Sequence, residues 1–244
     1  YVQVVPYDAV VHPGAPLKLR ARLFDGRGNL LREERPVWTL EQLHGTIGSD
    51  GTFVAAADAG GQAGLIRAAS GPLAGTSRVR VVPRLPLAEN FEGATGDAPP
   101  RHWINAAGKF VVRDVDGNKV LVKLADNPFT KRARMFVGTV DSANYTVEAD
   151  VRAIEKRRQM GDAGLIAQRY ALVLFGNSQE IELQSWQPST AKTVSQKFAW
   201  KADTWYRVKL RVENAPDGST RVQGKVWPAA EPEPAAWTVE RLDR

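Results

Sequence analysis

Residues 145–170 read YTVEADVRAIEKRRQMGDAGLIAQRY. The first stretch alternates strictly, with Tyr145, Val147, Ala149 and Val151 on one side and Thr146, Glu148, Asp150 and Arg152 on the other. That period of two marks a strand with one buried and one solvated face. Glu155 to Arg158 and the Gly161-Asp162 pair then interrupt the pattern. AGLIAQRYALVLF (163–175) resumes it as two strands covered in part on both faces. The spacing predicts a strand, a charged surface loop and a further strand in which Gln168 and Tyr170 share a face. Glu148 and Asp150 are expected to pair across strands with cations such as those of RVKLRV (207–212).

The same signature spreads outward. EIELQSWQ (180–187), WYRVKLRVEN (205–214) and RVQGKVW (221–227) alternate, and NAPDGS (214–219) is a turn. FVVRDVDGNKVLVKL (110–124) reads as a hairpin around Asp116, Gly117 and Asn118. Further back, Leu17, Leu19, Ala21 and Leu23 alternate with Lys18, Arg20 and Arg22, Trp38 is a candidate core aromatic, and Asp50-Gly51 is a tight turn. No segment reads as a helix. Short strands at ~8–12-residue spacing argue an all-β fold of the sandwich type. PRLPLAEN (83–90) carries two prolines that stiffen a connector, so the expected domains are 1–84 and 85–244.

The composition, 43% hydrophobic and 25% charged over 244 residues, is that of a folded globular chain. The absence of cysteine excludes disulfides, thiolate metal sites and cysteine nucleophiles. His12, His44 and His102 are far apart in sequence, which argues against a transition-metal site or a Ser-His-Asp set. The net charge is +6, but the basic clusters EKRR, KRAR and RVRVVPR are short and lie among acids. Nucleic acid is therefore not an expected partner. EKRR itself reads as a solvated hairpin turn, with anion binding or a domain contact as the alternative. No apolar run reaches the ~18 residues of a membrane span, and the chain opens on strand-like YVQVVPYD rather than a leader peptide.

Pro6, Gly14, Leu19, Asp25, Gly28, Trp38, Gly45, Asp50, Gly51, Phe53 and the run Val79 to Val82 stand in the order found in bacterial Ig-like domains, and residues 1–84 resemble that family. The resemblance implies a spacer or adhesion module. NFEG, PPRHW, VDGNKVLV, YTVEADVR, GLIAQRYALVLF and TWYRVKLRVE carry a second likeness. From about residue 88 to 240 the chain resembles the concanavalin A-like, laminin-G-type jelly roll. The pair is similar to C-terminal regions of bacterial secreted proteins that begin with a PQQ-type β-propeller. This implies a bacterial periplasmic or secreted location and a piece of a larger protein, ending at ERLDR (240–244) just short of a closing strand. It also implies one structural calcium ion, held by Glu92 with carbonyls near Asp116 and Gly117, and no other cofactor.

The likeness frames three functions. Jelly-roll glycosidases of the laminarinase type set E-x-D-x-E on one strand, so that acid and nucleophile face a cleft. Here Glu148 and Asp150 are followed by Arg152, and Glu180 and Glu182 by Gln184, so neither strand completes the pattern. An enzyme using Glu148, Asp150 or Glu182 is the alternative. The leading expectation is a non-catalytic region that binds a glycan or docks a neighbouring domain. Its candidate ligand residues are Gln168, Tyr170, Glu182, Gln184 and Trp186, planar polar groups beside aromatic rings. A structural spacer or assembly module is the third.

Overall fold

A computed structural model describes residues 1–58, 60–125, 132–185 and 193–244. Every regular element among them is a strand, and the chain is all-β. By its contacts it divides into two compact units, Tyr1–Thr139 and Val140–Arg244, whereas the proline punctuation in the sequence lies at 83–90.

The first unit contains β1 (Val2–Val5), β2 (Asp8–Val11), β3 (Pro16–Lys18), β4 (Arg20–Phe24), β5 (Leu30–Glu34), β6 (Val37–Glu41), β7 (Gly45–Ile47), β8 (Thr52–Ala55), β9 (Gln62–Ser70), β10 (Leu73–Val81), β11 (Phe110–Val115) and β12 (Asn118–Lys123). Three sheets, ordered β1-β4-β5, β2-β10-β9-β6 and β3-β8-β7, surround a core of Val2, Val4, Leu19, Ala21, Phe53, Ile66, Ala68, Val79 and Val81. The alternation of residues 17–24 holds, yet the run is two strands. Its first half pairs with β8 and its second with β1. The change of sheet falls at Leu19, whose N–H donates to Gly51 O at 2.9 Å. Gly51 has φ +80°, and a Cβ there would lie 2.5 Å from Leu19 O, so only glycine fits. β11 and β12 form a separate hairpin in full register.

The second unit contains β13 (Thr146–Arg152), β14 (Glu155–Lys156), β15 (Gln159–Met160), β16 (Ala163–Ala167), β17 (Tyr170–Phe175), β18 (Glu180–Ser185), β19 (Val194–Lys197), β20 (Trp205–Asn214), β21 (Thr220–Pro228) and β22 (Val239–Asp243). Two four-stranded antiparallel sheets, β13-β20-β21-β22 and β16-β17-β18-β19, share one core. Leu172, Leu174, Ile181 and Leu183 from one sheet meet Val208, Leu210, Val212, Val222 and Val239 from the other. Gly224 makes room for this contact, since a Cβ there would lie 2.6 Å from Leu172 Cδ1. The ERLDR stretch is itself mostly strand, because β22 pairs with β21 from Val239 to Asp243.

Candidate functional site

The two sheets of the second unit present very different outer faces. On β13 and β20 the register sets Glu148 opposite Lys209 and Asp150 opposite Arg207. Arg207 Nε and Nη2 donate to Asp150 Oδ1 and Oδ2 at 2.7 and 2.8 Å, and Lys209 Nζ lies 2.8 Å from Glu148 Oε2. The ladder continues to Glu233, which takes both Lys209 and Lys225. Trp227 lies beneath both ammonium groups, 5.7 and 5.8 Å from their nitrogens, and Trp237 lies 4.7 Å from Lys225 Nζ, all within cation–π range. Asp150 raises the Arg207 guanidinium above its ordinary pKa. Burial pulls Lys209 down, but Glu148 and Glu233 outweigh it and hold the ammonium above its usual value. Lys209 and Lys225 together lower Glu233. The expected cross-strand pairs are therefore present, and they occupy the two carboxylates of the partial E-x-D pattern.

The outer face of β17 and β18 carries Glu182 and Gln184. Their register partners are Val173 and Ala171, so the four share that face. Gln184 Nε2 donates to Glu182 Oε2 at 2.8 Å, which fixes the carboxamide beside the carboxylate on a half-buried surface. Glu180, on the same face, pairs with Lys197 at 2.6 Å. Trp186 lies outside the described residues.

Gln168 and Tyr170 are not companions on this face. The hairpin between β16 and β17 turns on Gln168 and Arg169, because Ala167 pairs directly with Tyr170. Gln168 has φ 52° and donates its N–H to Tyr145 Oη. A two-residue turn restarts the alternation, and Tyr170 points inward at 1% exposure. Its hydroxyl donates to Asp243 Oδ2 at 2.8 Å. Arg169 and Arg241 also reach that carboxylate, at 2.8 and 3.0 Å. Burial is the main reason the Tyr170 phenol stands above its ordinary pKa. Tyr170 is thus a core residue that pins the last strand, not a ring offered to a ligand. Asp243 gave no local signal, being 73 residues away in sequence.

At the place expected for calcium, the Glu92 carboxylate accepts the Lys119 N–H at 2.9 Å. Lys119 Nζ donates to the carbonyls of Glu92 and Ala94 at 3.2 and 2.7 Å. Asp116 and Gly117 form the adjoining turn, with φ 59° and 81°. A calcium ion takes ~6–8 oxygen ligands. The Lys119 ammonium already faces two oxygens at this place, the carbonyls of Glu92 and Ala94, and competes with a cation for them. Among the described residues no three His, Asp or Glu side chains gather to hold a metal ion.

The basic stretch forms a hairpin of its own. β14 and β15 pair Glu155 with Met160 and Lys156 with Gln159, leaving Arg157 and Arg158 as a two-residue turn with φ 54° and 62°. Beside it lies an open depression of about 390 Å³ lined by Glu155, Arg158, Asn177, Gln179, Trp200 and Lys201, among others. Sequence reasoning passed over Asn177 and Gln179, which sit in a turn, and Lys201, which lies between strands, with no alternation to mark any of them.

No family model matches the chain, and no match is found among curated proteins. No helix among the described residues is long and apolar enough to cross a membrane.

Proposed function

We propose that residues 1–84 form a bacterial Ig-like module and 85–244 a concanavalin A-like jelly roll. In this reading the chain is a non-catalytic, glycan-binding region of a larger bacterial periplasmic or secreted protein of the PQQ-propeller type. The supporting observation is the outer face of β17 and β18. Glu182 and Gln184, locked together at 2.8 Å, lie beside the small side chains Ala171 and Val173. An oriented carboxylate and carboxamide over a low apolar floor suit sugar hydroxyls and ring faces. Hydrolysis fits the geometry less well. Glu148 and Asp150 are bound to Lys209 and Arg207, and Glu182 stands on the other sheet. An acid–nucleophile pair needs two carboxyls facing one sugar bond, ~5–10 Å apart.

A glycan array screen on the whole chain, with a parallel assay of β-glucan hydrolysis, tests this reading. Binding without hydrolysis, weakened about tenfold by Glu182→Ala with Gln184→Ala, is expected, since each lost hydrogen bond is worth ~0.5–1.5 kcal/mol. Hydrolysis abolished by Glu182→Gln would replace this reading with the enzyme. The ion-paired face of β13 and β20 favours a second reading, a spacer, which an array with no hits would support.

A further inference from the structure

The hairpin β14–β15 breaks a local rule. Two-residue hairpin turns with positive φ at both positions are the type I′ class, which Asn-Gly and Asp-Gly build with little strain. Arg157 and Arg158 adopt that backbone with full side chains, and a left-handed conformation is unfavourable for such residues. Lys156, Arg157 and Arg158 are all exposed, and their like charges repel. Among the described residues, none of these three side chains, nor that of Lys201, has a hydrogen-bond or ion-pair partner. That contrasts with β13 and β20, where Arg207 and Lys209 each hold a carboxylate.

The base of the hairpin is firm, so slack does not relieve the tip. Met160 is buried, and its N–H donates to Asn177 Oδ1 at 3.0 Å. The carbonyls of Met160 and Gly161 press on Gly176, where a Cβ would lie 2.5 and 2.6 Å from them. Gly176 N–H donates to Asp162 Oδ1 at 3.0 Å. The adjoining depression has fixed polar walls. Gln179 Oε1 accepts the Trp200 N–H at 2.8 Å, and Gln179 Nε2 donates to Gly176 O at 2.7 Å. Strain maintained on an anchored element points to a use for the strained residues.

We infer that this tip and depression bind the carboxylate of an acidic saccharide, a uronate unit within a glycan. The Arg158 guanidinium and Lys201 ammonium supply the charge, and a guanidinium grips a carboxylate through two parallel hydrogen bonds. Glu155 supplies an acceptor for sugar hydroxyls. A space of about 390 Å³ lies at the small end of the range for ligand sites. A nucleic acid is a poorer fit. Trp200, at 3% exposure, offers no face on which a base stacks. The inference rests on the glycan reading above for its ligand class, and adds a second, charged site at the β17–β18 turn end of the same sheet.

The test is isothermal titration of the whole chain with oligogalacturonate, a neutral β-glucan oligosaccharide and single-stranded DNA. Uronate binding is expected to be tighter than neutral binding by about tenfold or more, the worth of one charge-assisted contact, and to weaken with salt. The double variant Arg157→Asn with Arg158→Gly has the favoured turn, so it is expected to fold and to melt above the wild type. Its uronate affinity is expected to fall about tenfold or more, with neutral binding unchanged. Lys201→Met is expected to lose uronate affinity while retaining the wild-type melting temperature. Unchanged uronate binding in the double variant overturns the inference. Neutral and acidic glycans bound equally overturn it while leaving the glycan reading in place, and no binding of either overturns both. DNA bound more tightly than uronate through the same arginines overturns the ligand class.

Discussion

The hairpins at Asp116–Gly117 and Arg157–Arg158 both reverse the chain on two residues with positive φ, 59° and 81° in one and 54° and 62° in the other. In the first, the residues suit the backbone. Glycine carries no Cβ penalty, and Asp114 Oδ1 accepts the Gly117 N–H at 2.9 Å. Lys119, two residues on, uses its charge internally, on the carbonyls of Glu92 and Ala94. In the second, the residues oppose the backbone, and their charges find no partner among the described residues. The first hairpin is built for stability. The second is built for what it displays.

The largest effect in breaking this contrast is expected at the clamp under the second hairpin. Gly176→Val forces a side chain against two backbone carbonyls, and a loss of about 3 kcal/mol is expected in urea unfolding followed by tryptophan fluorescence. Exchanging the turns comes next. Asp116→Arg with Gly117→Arg is expected to destabilise the first unit by ~2 kcal/mol, and Arg157→Asn with Arg158→Gly to stabilise the second by ~1–2 kcal/mol. Equal and small effects of both exchanges would remove strain as a distinction. Lys119→Met removes one part-buried and one exposed hydrogen bond, and a loss of ~1 kcal/mol is expected. Added calcium is expected to leave the melting temperature of the wild type unchanged, and a rise would restore a metal to that loop.

The smallest effect separates the units by pH. All three histidines lie in the first unit. The His102 ring packs on Gly61, where a Cβ would lie 2.1 Å from Cε1. Burial lowers its pKa, and Glu89 only partly offsets this. The unfolded chain then binds the proton more readily than the folded one. The contribution is complete above the unfolded value of ~6.5 and is lost as pH falls toward the lower folded value. Hydrogen exchange near pH 7 and near pH 5.5 is expected to show protection falling in the first unit and holding in the second. His102→Phe is expected to flatten the difference.

How much of this was legible in sequence depended on how local the cause was. The alternation of YTVEADVR was enough to predict Glu148 and Asp150 facing the cations of β20, because register follows from period and pairing alone. Asp116-Gly117 announced its turn by residue type. The run EKRR read as a charged hairpin turn, and one is present there, but nothing in it announced positive φ at Arg157 and Arg158. Gln168-Arg169 contains no turn residue and concealed the inward rotation of Tyr170. The sheet change at Leu19 depends on two different partners, β8 and β1, which a run of alternating leucines does not reveal. The Asp243 network and the grip of Lys119 on Glu92 join segments 73 and 27 residues apart, so they exist only once the chain is folded.

The central claim is that Arg157 and Arg158, at the turn between β14 and β15, are held ready for an anionic sugar. Amide NMR during titration with oligogalacturonate tests it most directly. The account predicts shifts at Arg157, Arg158, Asn177, Gln179 and Lys201 that saturate together and vanish in the Asn-Gly variant. Shifts that leave these amides untouched, or that persist in that variant, would contradict it.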